Sequence, residues 1–212
     1  MNIKKIIDDL NEFRDEIVEK LREKDWRHFR LYFEITEKFR ERKIEEEFKR
    51  VFCNFYRTRG LAGDPKKEFF KILWSKKKDD FEEVLRDLHK AGREKDKQKL
   101  FLSFVTKLLH TKNTNLPIYD GNIASVLELP SQRQSAKLEE KIRNRVEIYE
   151  ELKSDFDVLL KDGNIKEYLN GIRKELSSIA KNDKFEWKDD LISDKKLLDS
   201  LLWALHPIEK NK

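Results

Sequence analysis

Turn formers, cross-links and membrane spans are what this chain is short of. Its 212 residues include only 6 Gly and 4 Pro, so tight turns are few and the composition favours an all-α protein. Cys53 is the single cysteine; an intramolecular disulfide is excluded, and neither a cysteine-based zinc site nor a disulfide-stapled secreted fold fits. His28, His89 and His206 are scattered without ligand spacing, so no metal is expected. No apolar run approaches the ~20 residues of a membrane-spanning helix, and Met1-Asn-Ile-Lys-Lys-Ile-Ile-Asp-Asp9 lacks the apolar stretch of a signal peptide. A cytoplasmic protein without membrane contact is the expectation.

What is plentiful is charge. Charged residues make up 42% of the chain against 38% hydrophobic, and the two signs interleave, as in Glu37-Lys-Phe-Arg-Glu-Arg-Lys43, in the manner of solvated helix faces supported by i,i+4 pairs. The net charge of +5 permits a polyanionic partner without demanding one. The length suits one all-α domain over 1–212, with two lobes, 1–96 and 97–212, and a site between them as a further option.

Apolar spacing organises the chain into helices. Ile3, Ile6, Leu10, Phe13, Ile17 and Leu21 form one stripe, which predicts a single N-terminal helix able to pack across the domain or pair with a second copy in a weak homodimer. Residues 29–39 fit either a strand or a helix; helix is preferred because no partner strand appears elsewhere. A helix over 44–56 carries Phe48, Val51, Phe52, Phe55 and Tyr56 on one face. Asp64 is expected to cap the next helix with Pro65 at its first position. Helices over 79–90, 100–110, about 134–160 (long and charged), 165–180 and 195–205 follow, the last stopped by Pro207. Repeats and low-complexity tracts are absent from the sequence.

The sharpest feature lies between Lys99 and Pro130. Leu100-Phe-Leu-Ser-Phe-Val-Thr-Lys-Leu-Leu-His110 is a largely apolar helical run holding Lys107, and Asn115-Leu-Pro-Ile-Tyr-Asp120 leads into another helix. A lysine and an aspartate thus come to neighbouring helix ends in the least polar part of the chain, where a charge must be paired, neutralised or used. Desolvation frees a lysine amine to act as a nucleophile. A carboxylate at Asp120 suits a helix cap and also the stabilisation of a developing positive charge. His110 lies one turn beyond Lys107 and can border the same pocket. Each residue also has a plainer reading: Lys107 snorkelling its ammonium outward, Asp120 as a cap alone, His110 as a satisfied core histidine.

Leu102-Ser-Phe-Val-Thr-Lys107-Leu and Pro117-Ile-Tyr-Asp120, followed by Asn122-Ile-Ala-Ser-Val126, resemble the helix-hairpin-helix DNA glycosylase superfamily, and within it the archaeal 8-oxoguanine glycosylase branch. The resemblance covers about thirty residues. It implies a glycosylase-like helical fold, DNA as partner and no cofactor. Lys107 would be the catalytic nucleophile at the sugar C1′ and Asp120 the group stabilising the cationic sugar, with a Schiff base whose collapse nicks the strand. The chain departs from the family pattern in three places: Ser103-Phe-Val105 stands where a Gly-x-Gly hairpin normally binds phosphate, the Lys-to-Asp spacing is short, and Gly121-Asn122 follows the aspartate. These departures bear on DNA binding through the hairpin more than on the chemistry.

Two further stretches suit nucleic acid. Lys49-Arg-Val-Phe-Cys-Asn-Phe-Tyr-Arg-Thr-Arg59 interleaves basic and aromatic side chains, making Tyr56, Arg57 and Arg59 candidates for substrate contact beside His110 and Tyr119. Lys76-Lys-Lys78 suits a phosphate backbone or a solvated loop. The alternative to an enzyme is a non-catalytic helical module binding nucleic acid or protein.

Overall fold

The predicted N-terminal helix is broken at Phe13. In the computed structural model, which describes residues 1–42, 46–58, 61–76, 78–92, 100–133 and 137–209, α1 (Ile3–Glu12) ends at Phe13 and α2 (Arg14–Arg40) begins directly after it. The side chain of Asn2 caps α1 by accepting from Lys5 N at 3.1 Å. The break is pinned from outside, since Tyr168 Oη donates to the Leu10 carbonyl at 2.8 Å and Arg14 Nε donates to Glu175 at 2.8 Å. Ile6, Leu10, Phe13, Ile17 and Leu21 are all buried in the chain's own core. The stripe proposed for homodimerisation is therefore already covered.

Helix is the correct reading of residues 29–39, but α2 is not regular. Lys24, Asp25 and Trp26 have φ of 53°, 59° and 57°, the left-handed region that costs non-glycine residues about 1–2 kcal/mol each. The turn is held because it delivers Trp26 into the core, where its indole N–H donates to Asp183 at 2.8 Å and its ring stacks on Phe185 at 5.2 Å. Arg22 grips the same aspartate from the preceding turn.

The remaining helices are α3 (Glu46–Phe55), α4 (Gly63–Trp74), α5 (Phe81–Lys90), α6 (Leu102–Lys112), α7 (Gly121–Val126), α8 (Leu138–Lys161), α9 (Gly163–Asn182) and α10 (Asp194–Glu209), with a short 3-10 turn at Asp189–Leu191. No strand occurs among the described residues. The fold is all-α, with its helices gathered around one core. Asp80 and Asp162 cap α5 and α9 through side-chain bonds to Glu83 N and to Asn164 N and Ile165 N. Asp64 does not cap α4: the helix opens at Gly63, whose φ of +63° needs a glycine, and Pro65 falls at the third position.

α10 runs through the middle of the fold, against α7, α2, α8 and α9. Leu198, Leu201, Leu202 and Leu205 are fully buried, as their spacing predicts. Pro207 does not stop this helix, which continues to Glu209. A proline there removes the bond to the carbonyl four residues back, and that carbonyl, Trp203 O, receives Asn122 Nδ2 at 3.5 Å. No described helix is long and apolar enough to cross a membrane.

Candidate functional site

Lys107 and Asp120 line one cavity of about 310 Å³, near the lower end of the range for small-ligand sites. Its wall is assembled from distant segments: His28 from α2, Phe55, Tyr56 and Arg57 at the end of α3, Lys107 from α6, Asp120 and Asn122 at the start of α7, and Lys196, Asp199 and Trp203 from α10. Both halves of the sequence contribute.

Asp120 is the N-cap of α7, its Oδ1 accepting from Asn122 N at 3.0 Å. The segment leading to it is tied twice to α6. Tyr119 N donates to Thr106 Oγ1 at 3.0 Å, and His110 Nδ1 donates to the Leu116 carbonyl at 2.7 Å. These bonds bring the aspartate back to the helix that carries the lysine. Lys107 Nζ donates to the Tyr56 carbonyl at 3.2 Å and lies 5.9 Å and 5.7 Å from the Tyr56 and Phe104 rings. It makes no ion pair among the described residues. Burial is the largest influence on its amine and pulls the pKa below the ordinary lysine value, against the opposing pull of Asp120.

A second amine–carboxylate pair stands on the same wall. Lys196 is 2% exposed and donates to Asp199 Oδ2 at 2.5 Å, with its ammonium 5.2 Å from the Tyr32 ring and 5.8 Å from the Phe55 ring. Burial raises the Asp199 pKa, opposed by Lys196, and its Oδ1 is buried without a hydrogen-bond partner. His28 stacks on Trp203 at 5.4 Å, and its Nε2 meets Ser200 Oγ at 3.0 Å. Because the Ser200 hydroxyl gives its proton to the Lys196 carbonyl, His28 is the donor. Burial, assisted by Lys196, holds the His28 pKa well below the usual histidine value.

The candidates from sequence divide accordingly. Lys107, Asp120, Tyr56 and Arg57 are brought together at the cavity. His110 is not: it is 1% exposed, its Nδ1 is committed to Leu116, and Tyr32 Oη donates to its Nε2 at 3.2 Å. It is a buried strut behind the site, not a substrate contact. Tyr119 is buried too, with its hydroxyl accepting from Gln132 Nε2 at 3.2 Å, and it does not line the cavity. Arg59 lies outside the described residues. Of the lysine run, Lys78 is engaged with Asp87.

Lys196, Asp199 and Trp203 were missed from the sequence, yet a signal existed. Lys196, Asp199, Ser200 and Trp203 follow i, i+3, i+4, i+7 spacing, one polar stripe on a helix otherwise sunk in leucine. His28 has no such signal, because only the irregular turn before it sets its direction. A larger depression of about 430 Å³ includes Asp25, Arg30, Glu37, Lys184 and Lys188, but Arg30 is paired with Asp25 and Lys188 with Glu37, and Lys184 is exposed to water. No cluster of His, Cys, Asp and Glu able to hold a metal ion occurs among the described residues. No protein family, curated protein or solved structure matches the chain.

Proposed function

We propose that the chain binds DNA and excises a base from it, with Lys107 as nucleophile. The observation that supports this most is the placement of a desolvated, unpaired amine and a carboxylate on the wall of one open cavity. Aromatic side chains at Phe55, Tyr56 and Trp203 give that cavity flat apolar surface, suited to an extruded nucleobase or the sugar that carries it.

The lone pair on Lys107 Nζ attacks the sugar C1′ as the C1′–N bond to the base breaks, and the base departs with the bonding electrons and takes up a proton. The proton lost from Nζ passes to O4′ as the C1′–O4′ bond breaks, which opens the sugar ring to an iminium. Removal of a C2′ proton then expels the 3′ phosphate and nicks the strand, and water releases the amine. Asp120 stabilises the cationic sugar through its negative charge. Capping α7 does not conflict with this role, because one carboxylate oxygen serves the cap and the other is left for charge stabilisation.

Borohydride trapping on duplexes containing an abasic site or a damaged base tests the reading. A covalent adduct that disappears in Lys107→Gln is expected. Absence of an adduct, or one indifferent to that substitution, removes the enzymatic role. The second reading, a helical DNA-binding module without catalysis, is favoured by the structural partners that both groups already have, Lys107 with the Tyr56 carbonyl and Asp120 with Asn122 N. It predicts salt-sensitive DNA binding with no adduct.

A further inference from the structure

Three basic groups, Arg57, Lys107 and Lys196, and two acidic ones, Asp120 and Asp199, share the cavity wall. His28 adds no charge, since burial and the neighbouring ammonium keep its ring neutral, and His110 behind the wall is kept neutral by the same causes. A charge taken out of water needs a partner or must be neutralised. Arg57 is exposed and keeps its charge in water, so the buried amines of the wall are those of the two lysines.

The hydrogen bonds distinguish the two. Lys196 is locked on Asp199 at 2.5 Å and flanked by the rings of Tyr32 and Phe55, while an arginine does not give up its proton at ordinary pH. Lys107 has a carbonyl as its hydrogen-bond partner and no carboxylate. We infer that Lys196 is a positioning residue for Lys107: by occupying Asp199 it denies the Lys107 amine that carboxylate, and so eases the loss of its proton. Every charged group facing Lys107 takes part, with Asp120 and Asp199 favouring its protonation and Lys196 and Arg57 opposing it. Remove Lys196, and Asp199, which already favours protonation of Lys107, is left without its own cation.

The inference rests on Lys107 as the nucleophile, but its test needs no DNA. The ¹³Cε resonance of Lys107 in ¹³C-lysine-labelled protein, assigned with Lys107→Arg, is followed from neutral to strongly alkaline pH. Lys196→Met is expected to raise the midpoint by about one pH unit, while Lys196→Arg restores the wild-type value. Asp199→Asn is expected to move the midpoint the other way, and this arm decides the matter if Lys196→Met does not fold. In a borohydride assay the Lys196→Met protein would trap about tenfold less at neutral pH and recover as the pH is raised by about one unit. A Lys107 midpoint that stays put in the folded variants, or shifts with the same sign in Lys196→Met and Asp199→Asn, overturns the inference even where a DNA adduct forms. A shifted midpoint in a protein that never forms an adduct overturns the excision reading instead.

Discussion

The backbone N–H of Tyr119 donates to the hydroxyl of Thr106 at 3.0 Å, so the residue before Asp120 is fastened to the residue before Lys107. The spacing between amine and acid is set by this bond more than by the length of the intervening chain. The Thr106 hydroxyl in turn donates to the Ser103 carbonyl at 3.1 Å, which fixes the lone pair that Tyr119 uses.

Thr106→Val keeps the shape of the side chain and removes the acceptor. A buried N–H left without a partner costs about 1–3 kcal/mol, and urea denaturation should show a loss in that range. Borohydride adduct formation should fall by more than the stability change explains, because Asp120 is no longer held in register. Full trapping in a folded Thr106→Val protein would separate the clamp from the chemistry.

His110 supplies a pH dependence of stability. Burial, helped by the Lys196 charge, lowers its pKa from 6.5 to about 3 in the folded protein. Between those values the unfolded chain binds a proton that the folded one does not, so the stability contributed by the neutral ring is complete above the unfolded pKa and is lost as the pH falls. His28 acts in the same direction. Urea midpoints measured across mildly acidic pH should decline with acidification, and the decline should be shallower in His110→Asn. Equal slopes in the two proteins would show that the ring titrates normally.

The left-handed run at Lys24–Trp26 predicts a stabilising substitution. Lys24 is exposed and has φ of 53°, a conformation that glycine adopts without a steric penalty. Lys24→Gly should therefore raise stability by up to about 1 kcal/mol, measured as an increased urea midpoint with unchanged slope. In a regular helix the same change destabilises, so a lowered midpoint would count against the irregular turn.

Arg57 is an exposed cation on the cavity wall; if the chain binds DNA as proposed, it would meet a phosphate beside an inserted nucleotide. Arg57→Gln should weaken duplex binding and reduce the slope of log affinity against log salt by about 0.9. An unaltered slope would place the DNA backbone elsewhere on the protein.

Composition and periodicity together indicated the helical class, and periodicity the leucine face of α10 and the shared aromatic face of α3, because a stripe that must leave water leaves little choice of structure. The order lysine, helix end, Pro-Ile-Tyr, aspartate was likewise readable, and so was the capping of α7, a local event within a few residues. Helix limits were less legible. Phe13 breaks the first helix because Tyr168, far along the chain, claims the Leu10 carbonyl, and Pro207 is tolerated because Asn122 serves the carbonyl it leaves open. The company kept by Lys107 was decided by tertiary structure: Lys196, Asp199, His28 and Trp203 reach it only through the packing of α10 against α2 and α7. Side-chain identity fixes which groups can carry charge; the cavity that removes their water, and so determines which of them keeps a proton, exists only once distant helices have closed around it.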